Sequence, residues 1–201
     1  MKEGDKLPNV VFKVRSMGAW FNRTTKSFFK GKRVILFSLP GAFTPICSNQ
    51  MLPNYEKLYK AFKEHGIDQI YCLSVNDSFV MNAWAQDQNL KNIKVIPDGN
   101  CEFTEKVGMV CVKDGPGFGK RSWRYSAIIN DGVVEKLFEE PGKGEADEGS
   151  VKTDPYEVSS PEHVLKYLQQ TDPRHNQWGA NAVVEEPDKK FWPVSYTHLT
   201  L

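Results

Sequence analysis

Of the four cysteines in this 201-residue chain, Cys47, Cys72, Cys101 and Cys111, one sits where its sulfur should be reactive. Cys47 lies in Pro40-Gly41-Ala42-Phe43-Thr44-Pro45-Ile46-Cys47-Ser48. Thr44 suits a helix N-cap, and Pro45 suits the first helical position, where a missing N–H costs nothing. Cys47 then falls in the first helical turn. There, unpaired backbone N–H groups and the positive end of the helix dipole favour a thiolate over a thiol. The thiolate is the nucleophile, so the chemistry expected at Cys47 is attack on an electrophilic atom. The apolar run Val34-Ile35-Leu36-Phe37-Ser38-Leu39 precedes this segment and stops at Pro40-Gly41. That places Cys47 beyond the carboxyl end of a buried strand, where open α/β sheets carry their sites.

The surrounding elements must hold that turn in place. Residues 10–21 suggest a strand or hairpin turned at Met17-Gly18. The helix that starts at Thr44 shows an apolar series through Met51/Leu52, Tyr55, Leu58/Tyr59 and Phe62. Pro53 inside it predicts a kink, and His65-Gly66 closes it. Ile67–Val75 reads as a second buried strand. Asn76 or Asp77 caps a helix to about Asn89 with Phe79, Val80, Ala83 and Trp84 inward, and Ile93–Ile96 is a short strand. A glycine-rich loop, 114–119, leads to strands Ser122–Asn130 and Val133–Phe138 joined at Asp131-Gly132. Pro161 opens a last helix through Leu168. The order describes an α/β protein with a central mixed β-sheet flanked by helices, consistent with a thioredoxin-like layout. One domain over 1–170 is expected, followed by a tail over 171–201. Its final VSYTHLTL reads either as native or as appended sequence.

Composition narrows the function classes. Lys and Arg number 26 against 25 Asp and Glu, so no overall field exists to collect nucleic acid or anionic lipid. The charged N-terminus lacks the apolar run of a signal peptide, and no stretch has the length of a membrane span. A cytoplasmic protein is expected, with no nucleic-acid or membrane partner. The cysteines form no CxxC and no zinc-type cluster, so no cofactor or metal is expected.

PGAFTPICS resembles the active-site segment of the peroxiredoxins, in particular the group of peroxiredoxin 5 and the plant type II proteins. SVNDSFVMNAWAQ (74–86), IPDGNCEFTEKVGM (96–109) and GFGKRSWRYSAIINDGVVEKLFEEP (117–141) extend the likeness over about residues 3–170. It is strongest toward the peroxidase half of bacterial peroxiredoxin–glutaredoxin fusions. The resemblance implies a thiol peroxidase acting on hydrogen peroxide and organic hydroperoxides, with Cys47 as the peroxidatic cysteine. It further implies that Thr44 bonds sulfur and peroxide, that Pro40 shields the sulfur, and that Arg124 orients the peroxide and favours the thiolate. Donors aimed at the departing oxygen would lower the barrier of such a displacement. Alternation along a strand would put Arg124 on one face with Ser122 and Ser126.

Attack would leave Cys47 as a sulfenic acid. Gly142–Ser160 contains no cysteine to resolve it, and Cys72 falls in an apolar strand. A one-cysteine cycle with an external thiol is therefore expected. The resemblance suggests glutathione or glutaredoxin (with thioredoxin a further option) as reductant, and a homodimer as the assembly. Two alternatives stay open: a two-cysteine cycle through Cys72, and a non-catalytic redox sensor or holdase. A cysteine hydrolase would need a histidine base, but His65 and His163 are expected at the surface and His175 and His198 in the tail. The Gly115–Gly119 segment lacks the lysine and helix of a phosphate loop.

Overall fold

The computed structural model describes residues 1–143 and 154–172. The expected tail lies almost wholly outside them, and His175 and His198 lie there too. Strands β1 (Val11–Ser16) and β2 (Ala19–Thr24) pair across Met17-Gly18, whose φ values of 48° and 76° suit the tight turn expected there. A short helix α1 (Thr25–Phe29) follows, with the Thr24 hydroxyl accepting from Ser27 N–H.

Strands β3 (Arg33–Ser38), β4 (Gln69–Ser74), β5 (Lys94–Pro97), β8 (Tyr125–Asn130) and β9 (Val133–Glu139) form one sheet in the order β5-β4-β3-β8-β9. β3 runs parallel to β4, and β4 to β5, while β8 is antiparallel to both β3 and β9. The sheet is mixed and β3 is its middle strand, which is why that run is apolar on both faces. Ile35, Phe37 and Leu39 turn to one side, where they pack with α2 (Leu52–Glu64), α3 (Ser78–Asp87) and α5 (Pro161–Thr171). Val34 and Leu36 turn to the other, against β1, α1 and α4 (Glu102–Lys106). Helices thus flank both faces of the thioredoxin-like sheet. A separate pair, β6 (Val110–Lys113) and β7 (Gly119–Ser122), brackets the glycine-rich loop.

Four sequence expectations need correction. The strand expected over Ser122–Asn130 is interrupted: β7 ends at Ser122 and β8 starts at Tyr125. Arg124 therefore lies in the break and does not alternate along a strand face. In α3, Phe79 and Ala83 face solvent, while Ser78, Met81 and Trp84 are buried. The Asp77 carboxylate, accepting from the N–H groups of Phe79 and Val80, fixes the helix start and hence its inward face. Phe79 instead packs edge-on against Trp20, with Arg15 over both rings. His65 is buried, not at the surface, because Nδ1 meets the Asp172 carboxylate 3.1 Å away at the end of α5. Finally, Pro53 produces no simple kink. A π-helical turn, Cys47–Met51, precedes α2, and Leu52 N–H donates to Cys47 O. Pro53 has no N–H for the carbonyl four residues back, and its ring crowds that carbonyl. The widened turn accommodates both effects and leaves Pro53 in the first turn of α2.

Candidate active site

The candidate site forms where β3 ends. Pro40 and Gly41 are buried just beyond it, and Phe43 takes a left-handed φ of 63°. A phenylalanine holds such a conformation only if the loop is fixed on both sides. Asn76 Oδ1 does this by accepting from Ala42 N–H at 3.0 Å and from the Ser74 hydroxyl at 2.6 Å. Arg121 braces the outer side: its Nη1 donates to Val75 O at 3.4 Å, and a Cβ on Gly41 would lie 3.1 Å from that nitrogen. A side chain at 41 would push on Arg121 and on the Thr44 methyl, 3.3 Å away, so the glycine lets both approach the loop closely.

Thr44 precedes the helix as expected, and Ser48 N–H donates to its carbonyl at 2.9 Å. The N–H groups of Ile46 and Cys47 come before that first helical bond and have no carbonyl of the helix to meet. The Thr44 hydroxyl donates to Gly41 O at 2.8 Å. It has one proton, so in this state its oxygen is left as an acceptor on the side away from Gly41.

Cys47 is fully buried and belongs to the apolar core cluster on the helix-covered side of the sheet that also holds Phe37, Leu39, Met51 and Tyr55. Arg124 reaches into this apolar setting from the break between β7 and β8 and is itself only 1% exposed. Its Nη1 lies 3.5 Å from Cys47 Sγ and 3.3 Å from Met51 Sδ, and Nη2 donates to Asp154 Oδ1 at 2.6 Å. The Tyr156 ring lies 5.8 Å from the guanidinium carbon. Arg124 Nε is buried with no hydrogen-bond partner. Burial opposes the charge on Arg124, yet the Cys47 sulfur and the Asp154 carboxylate more than offset it, and the pKa is raised above the ordinary arginine value. The group is a fixed cation.

The backbone around Arg124 is held firmly. Ser38 Oγ, at the end of β3, donates to Leu73 O and lies 2.8 Å from Ser122 Oγ, which donates to Trp123 O. Trp123 N–H donates to Met109 O at 2.7 Å. These bonds tie the arginine segment to the strand that delivers Cys47.

The other thiols differ. Cys72 is buried on β4, and burial, then the nearby Cys47, pushes its pKa well above the ordinary value. Cys101 and Cys111 are each pushed up to about 11, chiefly by burial. All four cysteines are free. Among the described residues, no group of three or more His, Cys, Asp or Glu side chains is arranged to hold a metal ion, and no helix is long and apolar enough to cross a membrane. Arg124 thus meets Cys47 at the helix start, and Pro40 and Thr44 lie in the loop that leads into it. Sequence reasoning missed Met51, Asn76, Asp154 and Tyr156. Met51 read as core, Asn76 as a helix cap, and Asp154 as one of many acidic residues in a polar stretch; no local pattern set them apart.

Residues 2–154 match the family described as Redoxin. A peroxiredoxin of Rhizobium etli is 63% identical over 149 residues, which make up 74% of this chain and 81% of that protein. The hybrid peroxiredoxin hyPrx5 of Haemophilus influenzae is 47% identical over 189 residues, 94% of this chain and 74% of that one. Among solved structures, the Plasmodium falciparum antioxidant protein, a 1-Cys peroxiredoxin, superposes with a TM-score of 0.78 at 38% identity, covering 85% of this chain and 99% of its own. The chain belongs to the redoxin family and, within it, to the peroxiredoxins, thiol peroxidases that reduce hydroperoxides.

Proposed function

We propose that Cys47 is the peroxidatic cysteine, and that it is recycled by an external thiol of the glutathione or glutaredoxin type in a one-cysteine cycle. The observation that carries this reading is the buried Arg124 guanidinium, 3.5 Å from the Cys47 sulfur. A fixed cation there can stabilise negative charge that develops beside the sulfur.

In the first half-reaction the Cys47 thiolate attacks the terminal oxygen of the hydroperoxide. The S–O bond forms as the O–O bond breaks, and sulfur is oxidised by two electrons to sulfenic acid. The departing alkoxide or hydroxide takes up a proton and leaves as alcohol or water. Arg124 faces the reacting atoms with Nη1 and has a further unpaired N–H at Nε. Thr44 Oγ1 gives its proton to Gly41 O, so toward a peroxide it acts as acceptor and aligns the O–H. Pro40 helps keep water from the sulfur. In the second half-reaction a thiol attacks the sulfenic sulfur, releasing water and leaving a mixed disulfide. A second thiol then frees Cys47.

The one-cysteine form is supported by the state of Cys72, buried on β4 with its thiol held in the protonated form by burial. A protonated thiol is a poor attacking group. The "1-Cys" description of the Plasmodium relative points in the same direction. Reduced protein given one equivalent of peroxide and then glutathione should carry the glutathione adduct on Cys47 by peptide mass mapping. A dominant Cys47–Cys72 disulfide would overturn the one-cysteine cycle.

A further inference from the structure

Arg124 needs an outer brace as well as a charge partner, and that brace ends at one buried carboxylate. Glu140 follows β9 directly and is 1% exposed. One of its oxygens, Oε1, accepts three bonds: from Glu157 N–H at 2.7 Å, Ser159 N–H at 2.8 Å and the Ser159 hydroxyl at 2.7 Å. Its other oxygen is buried without a partner. A carboxylate is desolvated at this cost only where its bonds replace water well. The main chain of Glu140 engages the opposite side: its N–H donates to Arg124 O at 3.2 Å, and its carbonyl accepts from the Trp123 indole at 2.8 Å. Glu140 therefore joins the arginine segment to the 154–160 segment. That second segment supplies Asp154, which holds Arg124 Nη2, and Tyr156, which lies beside the guanidinium.

We propose that Glu140 is a positioning residue for the peroxide site, a clasp that fixes Asp154 and Tyr156 and through them the direction of Arg124 toward Cys47. This rests on the reading of Cys47 and Arg124 given above. Glu140 touches neither the sulfur nor the guanidinium with its side chain. Its carboxylate serves as a hydrogen-bond acceptor, so an amide oxygen at the same place should work as well. Ser159 belongs to the same clasp. Its carbonyl accepts from the hydroxyls of Tyr55 and Ser126, which anchors it to α2 and β8.

The test compares E140A, E140Q and S159A with the unmodified protein in two readouts: the single-turnover rate constant for hydrogen peroxide and the pH profile of Cys47 alkylation. E140A is expected to slow peroxide reduction by about tenfold to a hundredfold, the scale of loss when a reacting group shifts by about 1 Å. Its alkylation profile should move to higher pH. S159A, which loses one of three bonds, is expected to lose about threefold. E140Q should restore most of the rate and the original profile. Unchanged rate and profile in folded E140A, or in S159A if E140A does not fold, would overturn the proposal. An E140Q protein as impaired as E140A would also overturn it, because charge rather than the clasp would then be responsible. Peroxide reduction by the Cys47→Ser protein at the unmodified rate would instead bring down the underlying reading.

Discussion

At Cys47 the sulfur has two unlike kinds of neighbour: the apolar core cluster to which it belongs, and the Arg124 guanidinium 3.5 Å away. Burial alone does not single this cysteine out, since Cys72 is equally buried. What distinguishes Cys47 is the cation, and the cation is itself held by Asp154. Arginine suits this place better than lysine because its planar fork serves sulfur and carboxylate at once. Arg124→Gln should therefore lower the single-turnover peroxide rate by roughly two to three orders of magnitude, the usual cost of a lost charge-stabilising donor. Stopped-flow fluorescence would measure it, and a loss below about threefold would mean that Arg124 takes no part in the step. Arg124→Lys should recover little, for it cannot span both partners.

The elements explain how such a pair meets. The π-helical turn Cys47–Met51 rotates the start of the helix relative to α2, and Pro53 is the residue that makes a regular α-turn there unfavourable. π-turns inside helices recur at functional sites for this reason. Pro53→Ala restores an N–H and is expected to leave the protein folded while slowing peroxide reduction about tenfold or more as Cys47 shifts. Equal rates would show that the wide turn is set by packing instead. The strand-to-helix path through Pro40, Thr44 and Pro45 was legible in the sequence because its turn residues act locally, although the Thr44 hydroxyl bonds Gly41 O instead of capping the helix. The interruption at Trp123-Arg124 was not, since the run Ser122–Asn130 looks continuous and the break is made by long-range bonds to Met109 and Glu140. Helices α1 and α4, of five residues each, are too short to show a period. Phe79 misled because an apolar residue in an amphipathic helix reads as inward, whereas its partners, Trp20 and Arg15, lie on a distant hairpin.

For the whole molecule, the central sheet with helices on both faces buries three thiols besides Cys47, together with Tyr55, Tyr71 and Tyr125. Burial pushes Cys111 from 9.0 to about 11 and Cys101 to about 11, and raises Cys72, Tyr55 and Tyr125 as well. The folded protein thus keeps protons that the unfolded chain releases, and stability must fall as pH rises. The contribution is whole below the ordinary thiol value and is lost from there up through about 11. Urea midpoints measured from about pH 8 to about pH 11 should decline steadily, and Cys111→Ala should make the decline shallower. A flat profile would contradict the burial argument. The gross architecture was legible because hydrophobic runs and turn signals determine it. Asp154 and Glu140 were not, because each acquires its role only when residues 17 to 30 positions away close on it.

The proposed chemistry needs one sulfur, that of Cys47, to reduce the peroxide. The most direct test mixes reduced protein with excess hydrogen peroxide and a sulfenic-acid trap, without any reducing thiol, and follows both peroxide loss and the trapped residue. Rapid loss of one peroxide per chain is expected, with the trap on Cys47 and no such phase in Cys47→Ser. A rapid phase that survives in Cys47→Ser, or a trap found on Cys72, Cys101 or Cys111 in its place, would contradict it.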